Sequence, residues 1–355
     1  VSPRSVRDQA ARVSDVKRLV DAARDVARNR GAIASELVAM TGLSPEGVDL
    51  AFEKHLELRP SDAEVASLVA RAGDAPSVAV VLSANVFVGA LRALAIARAA
   101  SDDVIVRPSR REPVFARALV DAARALGDTG IRLDEAFEVA SLERGEIHVY
   151  GRDETIDEVR KNARVRVRGH GSGMGVAWLS ERAELESAAR LLADDVVAFD
   201  QRGCLSPRVV MVEGDDARAE AFGEALHEAL SRYDTLVPRG TIPADERPAA
   251  ARYVDTMTYA GSAIVGAGHV VGVAPAGSAF VLPPSWRHVH VVPSSNAREA
   301  AAWLSPVARG VVTLGSNDLS AARALAGVVT TWARLAEIGR MQRPPLDGPV
   351  DLREF

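Results

Sequence analysis

Val78-Ala79-Val80-Val81-Leu82-Ser83-Ala84-Asn85, then an apolar, alanine-rich stretch over residues 86–100, then Asp103-Val104-Ile105-Val106-Arg107, decides the fold. The two short apolar runs have the length and β-branched content of strands buried on both faces, and the stretch between them is long enough for a helix. The alternation continues downstream. Residues 113–126 read as a second helix, Ile147-His148-Val149-Tyr150 as a strand, 153–162 as a helix and 164–168 as a further strand. Strands alternating with helices build a doubly wound parallel sheet, whose ligands bind at the carboxyl ends of its strands. The predicted class is therefore α/β.

Upstream the pattern differs. Residues 13–28, 32–40 and 61–72 carry apolar side chains at three- and four-residue spacing, interrupted by Gly42-Leu43-Ser44-Pro45, so a helical segment precedes the first sheet. With 355 residues, 48% of them hydrophobic, the chain buries enough core for two domains. The expected division is residues 1–172, the N-terminal helices and a cofactor-binding domain; 173–330, a catalytic domain; and 331–355, a C-terminal tail. A net charge of -5 gives no general attraction to nucleic acid or to an anionic membrane. The single cysteine excludes an internal disulfide framework and multi-cysteine zinc sites. No stretch approaches the ~18 consecutive apolar residues of a membrane span, and the chain starts without an apolar signal region, so a cytoplasmic protein is expected.

That cysteine, Cys204, lies in Asp200-Gln201-Arg202-Gly203-Cys204-Leu205-Ser206-Pro207, between Val196-Val197-Ala198-Phe199 and Val209-Val210-Met211-Val212, two runs that read as short strands. Beside Gly203 a substrate can approach the backbone closely, and the Cys204 amide can face an oxyanion formed at its own sulfur. A small buried hydrophobe is the other reading of a free cysteine. Asn85 follows the first strand, and Arg107 ends the second at the same sheet edge, so the two line one crevice. Asn85 is also an ordinary candidate for a helix N-cap. Arg107-Pro108-Ser109-Arg110-Arg111 suits either a phosphate clamp or a solvated basic turn. Gly151-Arg152 opens a helix directly after a strand, a position whose free amides can hold a pyrophosphate.

Taken in order, the first strand, Asn85, the apolar helix, Arg107-Pro108-Ser109, Tyr150-Gly151 and Gly203-Cys204 resemble the aldehyde dehydrogenase superfamily over residues 77–212. Its members carry an oxyanion-hole asparagine, a Lys-Pro-Ser cofactor turn, a Gly-Ser helix start and a catalytic cysteine in that order. More narrowly, Asp200 to Pro207 is similar to the cysteine segment of LuxC-type fatty acyl-CoA reductases, and Gly339-Arg340-Met341-Gln342-Arg343-Pro344 to their C-terminal region. The resemblance implies two doubly wound parallel-sheet domains, Cys204 as nucleophile, Asn85 as oxyanion donor, and a cofactor site formed by Arg107, Ser109, Arg110, Gly151 and Arg152. It implies NADPH as cofactor and an acyl-CoA or other acyl thioester as substrate.

The departures from the superfamily pattern are specific. Members that oxidise aldehydes keep a glutamate base before the cysteine; here that stretch is Arg168-Gly169-His170-Gly171-Ser172-Gly173, with no carboxylate. An acyl-cysteine then survives to exchange with a thiol, as a thioester reductase requires. Arg110 stands where an acidic residue usually binds a free ribose hydroxyl, and an arginine there favours a 2'-phosphate. His170 and Arg202 are the nearest candidates for lowering the thiol pKa, with a structural role equally open for His170. The chain is shorter than typical members, so homo-oligomerisation stays open.

Three other patterns need weighing. Gly169-His170-Gly171-Ser172-Gly173-Met174-Gly175, with Asp194 and Asp195 further on, mimics a dinucleotide fingerprint. It follows several strand-helix units instead of opening them, so it is expected to be a crossing between domains that passes near the thiol. His288 and His290 share a strand face without further ligands at metal-binding spacing, which suits a structural pair and no metal site. The alternating arginines of residues 164–168 suit a solvated sheet edge. The predicted activity is acyl-CoA reduction to a fatty aldehyde; a semialdehyde or acyl-phosphate oxidoreductase and a non-catalytic subunit of the same fold are the competing readings.

Overall fold

The computed structural model describes residues 8–353. Two sheets organise it. The first contains β1 (Val78–Val81), β2 (Val104–Arg107), β3 (Ile131–Leu133), β4 (Glu146–Tyr150) and β5 (Arg166–His170), in the order β3-β2-β1-β4-β5 and all parallel. The order reverses between β1 and β4, so their carboxyl ends flank a crevice. Val81 pairs with Arg107 on one side and Val149 on the other, so the loops after β1, β2 and β4 leave the sheet at one level.

The second sheet contains β6 (Met174–Leu179), β7 (Pro207–Glu213), β8 (Ser262–Val265), β9 (Val270–Val273), β10 (His288–Ser294), β11 (Val311–Ser316) and β12 (Arg334–Glu337). Its order is β12-β11-β6-β7-β10-β9-β8, parallel throughout except for β8. The expected α/β architecture of two parallel sheets is therefore present. β12 places part of residues 331–355 inside the second sheet, and Met341, Leu346 and Asp351 are buried.

The N-terminal helices form as their periodicity predicts. Helix Gln9–Arg28 buries Val16, Leu19, Val20, Ala23 and Val26 on one stripe and packs on helix Gly89–Ala100. Gly42 adopts a left-handed φ of 70° as the C-cap of helix Ala34–Thr41, and Ser44 then caps Pro45–Leu50, a short helix that begins at the last residue of that break. Ser61 and Glu64 form a capping box that starts helix Asp62–Arg71. Helix Gly89–Ala100 is buried on all faces, between these helices and the first sheet. β5 is an edge strand: Arg166 is exposed, whereas Arg168 turns to Glu146 at 2.8 Å.

Candidate active site

The segment leading to the cysteine is not a strand. Helix Leu185–Val197 runs into a one-turn helix Ala198–Gln201 in which Phe199, Asp200 and Gln201 have φ of 53°, 52° and 62°. Three consecutive non-glycine residues in this left-handed region cost about 1–3 kcal/mol each and need compensation. It comes from several segments, chief among them Trp286 to His288 at the start of β10, where Trp286 and Arg287 are themselves at positive φ. Buried Asp200 accepts from Arg287 Nε at 2.9 Å and from the Gly240 amide at 3.0 Å. The Gln201 side-chain amide donates to Pro207 O at 2.7 Å and His288 O at 2.8 Å and accepts from His288 N at 2.9 Å. Arg202 donates to Thr41 O at 2.9 Å and covers the Trp286 ring at 4.7 Å. These ties hold the Gly203–Ser206 turn, closed by Ser206 N to Gly203 O at 3.1 Å, that presents Cys204 just before β7.

Three distant segments meet this turn. Gly171-Ser172-Gly173 crosses from β5 to β6, and a methyl on Gly173 would lie 3.4 Å from Cys204 Cβ, so the glycine crossing does pass the thiol. A methyl on Gly203 would lie 3.1 Å from Val86 Cγ2 and 3.3 Å from both Gln342 Oε1 and Ser206 Oγ. Gly203 is thus tightly packed between the loop after β1 on one side and the C-terminal segment on the other. Asp351 and Arg353 complete the surround: Arg353 donates to both Asp351 oxygens, at 2.9 and 2.6 Å, and to Arg309 O at 3.2 Å.

Protein atoms surround the sulfur although the residue is only half-buried. Burial, followed by the Asp351 carboxylate, pushes the thiol up to about 11, against the opposing pull of Arg353, its own amide and Arg92. Arg202, committed to Thr41 O and the Trp286 ring, is not among the groups acting on it. His170 stacks on Tyr150, with ring centroids 4.5 Å apart and 14° between planes. Burial drives it down to about 3, so it is a neutral imidazole at physiological pH. Its Nδ1 and the Tyr150 hydroxyl are both buried without a partner among the described residues.

Asn85 is exposed and its side chain makes no hydrogen bond among the described residues. The helix after it begins at Gly89, with Val88 at the cap and no side-chain cap bond, so the structure gives Asn85 no capping role. Its neighbour Val86 touches the Gly203 position, which brings the loop to the thiol. Across the crevice, Arg107 donates to Phe137 O at 3.4 Å and Ser109 Oγ accepts from the Arg111 amide at 3.2 Å. Arg110 is exposed and makes no ion pair among the described residues. Gly151 and Arg152 precede helix Asp153–Asn162, whose first turn carries Asp153 and Glu154; Asp153 accepts from Ser172 N at 2.9 Å. These carboxylates oppose an anion at that helix start, whereas the Arg110 guanidinium stays without a counter-charge among the described residues.

The remaining motifs resolve as structure. Asp195 accepts from the amides of Gly339, Met341 and Gln342 at 2.5, 2.9 and 3.4 Å, while Asp194 bonds Tyr233 and Lys54, so neither serves a glycine fingerprint. Burial raises Asp195 to about 7 despite those three amides. His288 and His290 lie inside on β10; His288 Nδ1 donates to Ser285 O at 2.7 Å, and Tyr253 Oη lies 3.2 Å from His290 Nδ1. A cleft of about 320 Å³ reaches Leu205, the residue after the thiol, between Met341, Leu335 and Leu346, with Arg59 and Arg340 also lining it. Gln342, Asp351, Arg353 and Arg92 were not identified from sequence; only the similarity of residues 339–344 to a known C-terminal region pointed to one of them.

A family model described as Acyl-CoA reductase (LuxC) matches residues 57–355. A search of curated proteins found no match. Among solved structures, PnpE from Pseudomonas sp. WBC-3 superimposes with a TM-score of 0.68 at 17% identity, covering 93% of this chain and 77% of its own. An NAD-dependent benzaldehyde dehydrogenase from Corynebacterium glutamicum gives 0.68 at 16%, covering 93% and 83%. An oxidoreductase from Marinobacter aquaeolei gives 0.70 at 13%, covering 98% and 84%. The fold is that of the aldehyde dehydrogenases.

Proposed function

The chain belongs to the acyl-CoA reductase (LuxC) family, and we propose that it reduces an acyl-CoA to a fatty aldehyde with NADPH through an acyl-enzyme on Cys204. The observation that carries this reading is the meeting of the Cys204 turn, the Asn85 loop and the Gly173 crossing. Residues 1–172 would then supply the cofactor side and 173–330 the thiol, with 331–355 adding β12 and closing over it.

In this reading the Cys204 sulfur attacks the thioester carbonyl, forming a carbon–sulfur bond as the carbonyl π pair moves onto oxygen. The Asn85 amide and the Cys204 N–H donate to that oxyanion. Its collapse breaks the bond to coenzyme A, which leaves with the proton the thiol has lost. Asp351 has both oxygens engaged by Arg353 and the neutral His170 is stacked on Tyr150, so among the described residues no uncommitted carboxylate stands at the thiol to activate water. The acyl-enzyme therefore persists. Arg107, Ser109 and Arg110 would hold NADPH, with Arg110 facing the 2'-phosphate; the chemistry it supplies when bound is a hydride to the acyl carbon. Collapse of the hemithioacetal then returns the Cys204 thiolate and frees the aldehyde. The acyl chain would enter by the cleft that reaches Leu205, the residue after the thiol.

The test is NADPH consumption with matched acyl-CoA, acyl phosphate and, with NADP+, free aldehyde. Turnover of the acyl-CoA supports the proposal. Turnover confined to the phosphate, or to aldehyde oxidation, replaces it with another aldehyde dehydrogenase chemistry, and no turnover with an unreactive thiol points to a non-catalytic subunit.

A further inference from the structure

Gln342 is held in place more firmly than a loop residue needs to be. Its amide and those of Gly339 and Met341 converge on the Asp195 carboxylate. Met341 is clamped between Gly175 and Gly315, where added methyls would overlap its side chain. The Gln342 side chain then reaches the cysteine turn. Its Oε1 lies 3.3 Å from the place a methyl on Gly203 would take, and Ser206 Oγ donates to the same oxygen at 3.5 Å.

The other end of that amide has no partner among the described residues. Gln342 is 8% exposed, and among the described residues its buried Nε2 has no hydrogen-bond partner. A primary amide carries two donors, and leaving both unpaired away from water is unfavourable. Such an orphan is tolerated where a ligand completes it. The Gln342 side-chain amide stands at Gly203, beside the nucleophile, with Val86 of the Asn85 loop at the same glycine. We propose that Gln342 Nε2 is a catalytic hydrogen-bond donor to the thioester carbonyl oxygen, joining Asn85 and the Cys204 amide as charge develops on it.

The inference rests on the proposed acylation of Cys204, and the experiment separates the two. Gln342→Leu keeps the side-chain size and removes the donors. Release of coenzyme A in a single turnover with an acyl-CoA should slow by about 10²-fold, the loss expected for one oxyanion donor. Alkylation of Cys204 by iodoacetamide forms no oxyanion, so its rate should stay within about twofold of wild type. Gln342→Glu, which replaces the donors with negative charge, should acylate more slowly still. Equal loss in both reactions would show that Gln342 only shapes the surroundings of the thiol, and unchanged acylation would remove it from the oxyanion site. If Gln342→Leu does not fold, Gln342→Met, equally neutral and without donors, decides on the same two rates. A wild-type protein that fails to acylate on Cys204 would refute the parent reading, and this inference with it.

Discussion

Replacing Asp351 with asparagine should make Cys204 more reactive, although the substitution removes a group from around the nucleophile. The thiol rises from 9.0 to about 11 in the fold, with burial the first cause and Asp351 the second. Two units mean roughly 10²-fold less thiolate at any pH below 9, or about 2.7 kcal/mol. Arg353, which pulls the other way, is at present neutralised by both oxygens of Asp351. The asparagine side chain keeps an oxygen for the Arg353 amide, now 3.1 Å from Asp351 Oδ1, but leaves the guanidinium charge uncompensated beside the sulfur. Because burial remains, the thiol should come down by up to about one unit, giving a roughly three- to tenfold faster alkylation. The assay is iodoacetamide modification between pH 7 and 10, followed by intact mass. In wild type the logarithm of the rate should climb with unit slope throughout that range. The raised thiol also favours the protonated fold, so its contribution to stability, complete below pH 9, should fade as pH rises through 11. An unchanged or slower alkylation of a normally folded Asp351→Asn protein would refute the electrostatic reasoning.

Asn85→Ala should lower kcat by on the order of 10²–10³ with an unaltered Tm, because the side chain caps no helix; lost Tm with preserved turnover would make Asn85 structural. Arg110→Glu should weaken NADPH and move preference toward NADH, an effect that shrinks at high salt; titration of both nucleotides checks it, and unchanged NADPH affinity would mean that the arginine serves solvent alone. Asp200→Ala leaves Arg287 buried and unpaired and should cost about 3–5 kcal/mol in a denaturant melt. A loss under about 1 kcal/mol would mean that the left-handed turn before Cys204 needs no such lock.

The first sheet was legible because parallel strands buried on both faces are continuous apolar runs: β1, β2 and β4 stand where Val78, Val104 and Ile147 announce them. Residues 196–199 misled for the same reason, since the end of a buried helix is also a short apolar run. The partner that holds Asp200 in this turn is Arg287, far along the chain, which no local pattern reports. β3, with one buried residue in three, carries too little apolar signal. Cys204, Asn85 and Gly173 could be singled out because each sits at a punctuated end of an apolar run. Gln342, Asp351 and Arg353 could not be linked to the thiol, since their approach depends on Asp195 and Arg309 and not on spacing.

The measurement closest to the central claim is intact mass of the protein incubated with an acyl-CoA and no cofactor. The account predicts one acyl adduct, lost in Cys204→Ala and discharged as aldehyde when NADPH is added. An adduct that persists in Cys204→Ala, or a wild-type protein that never acquires one, would contradict it.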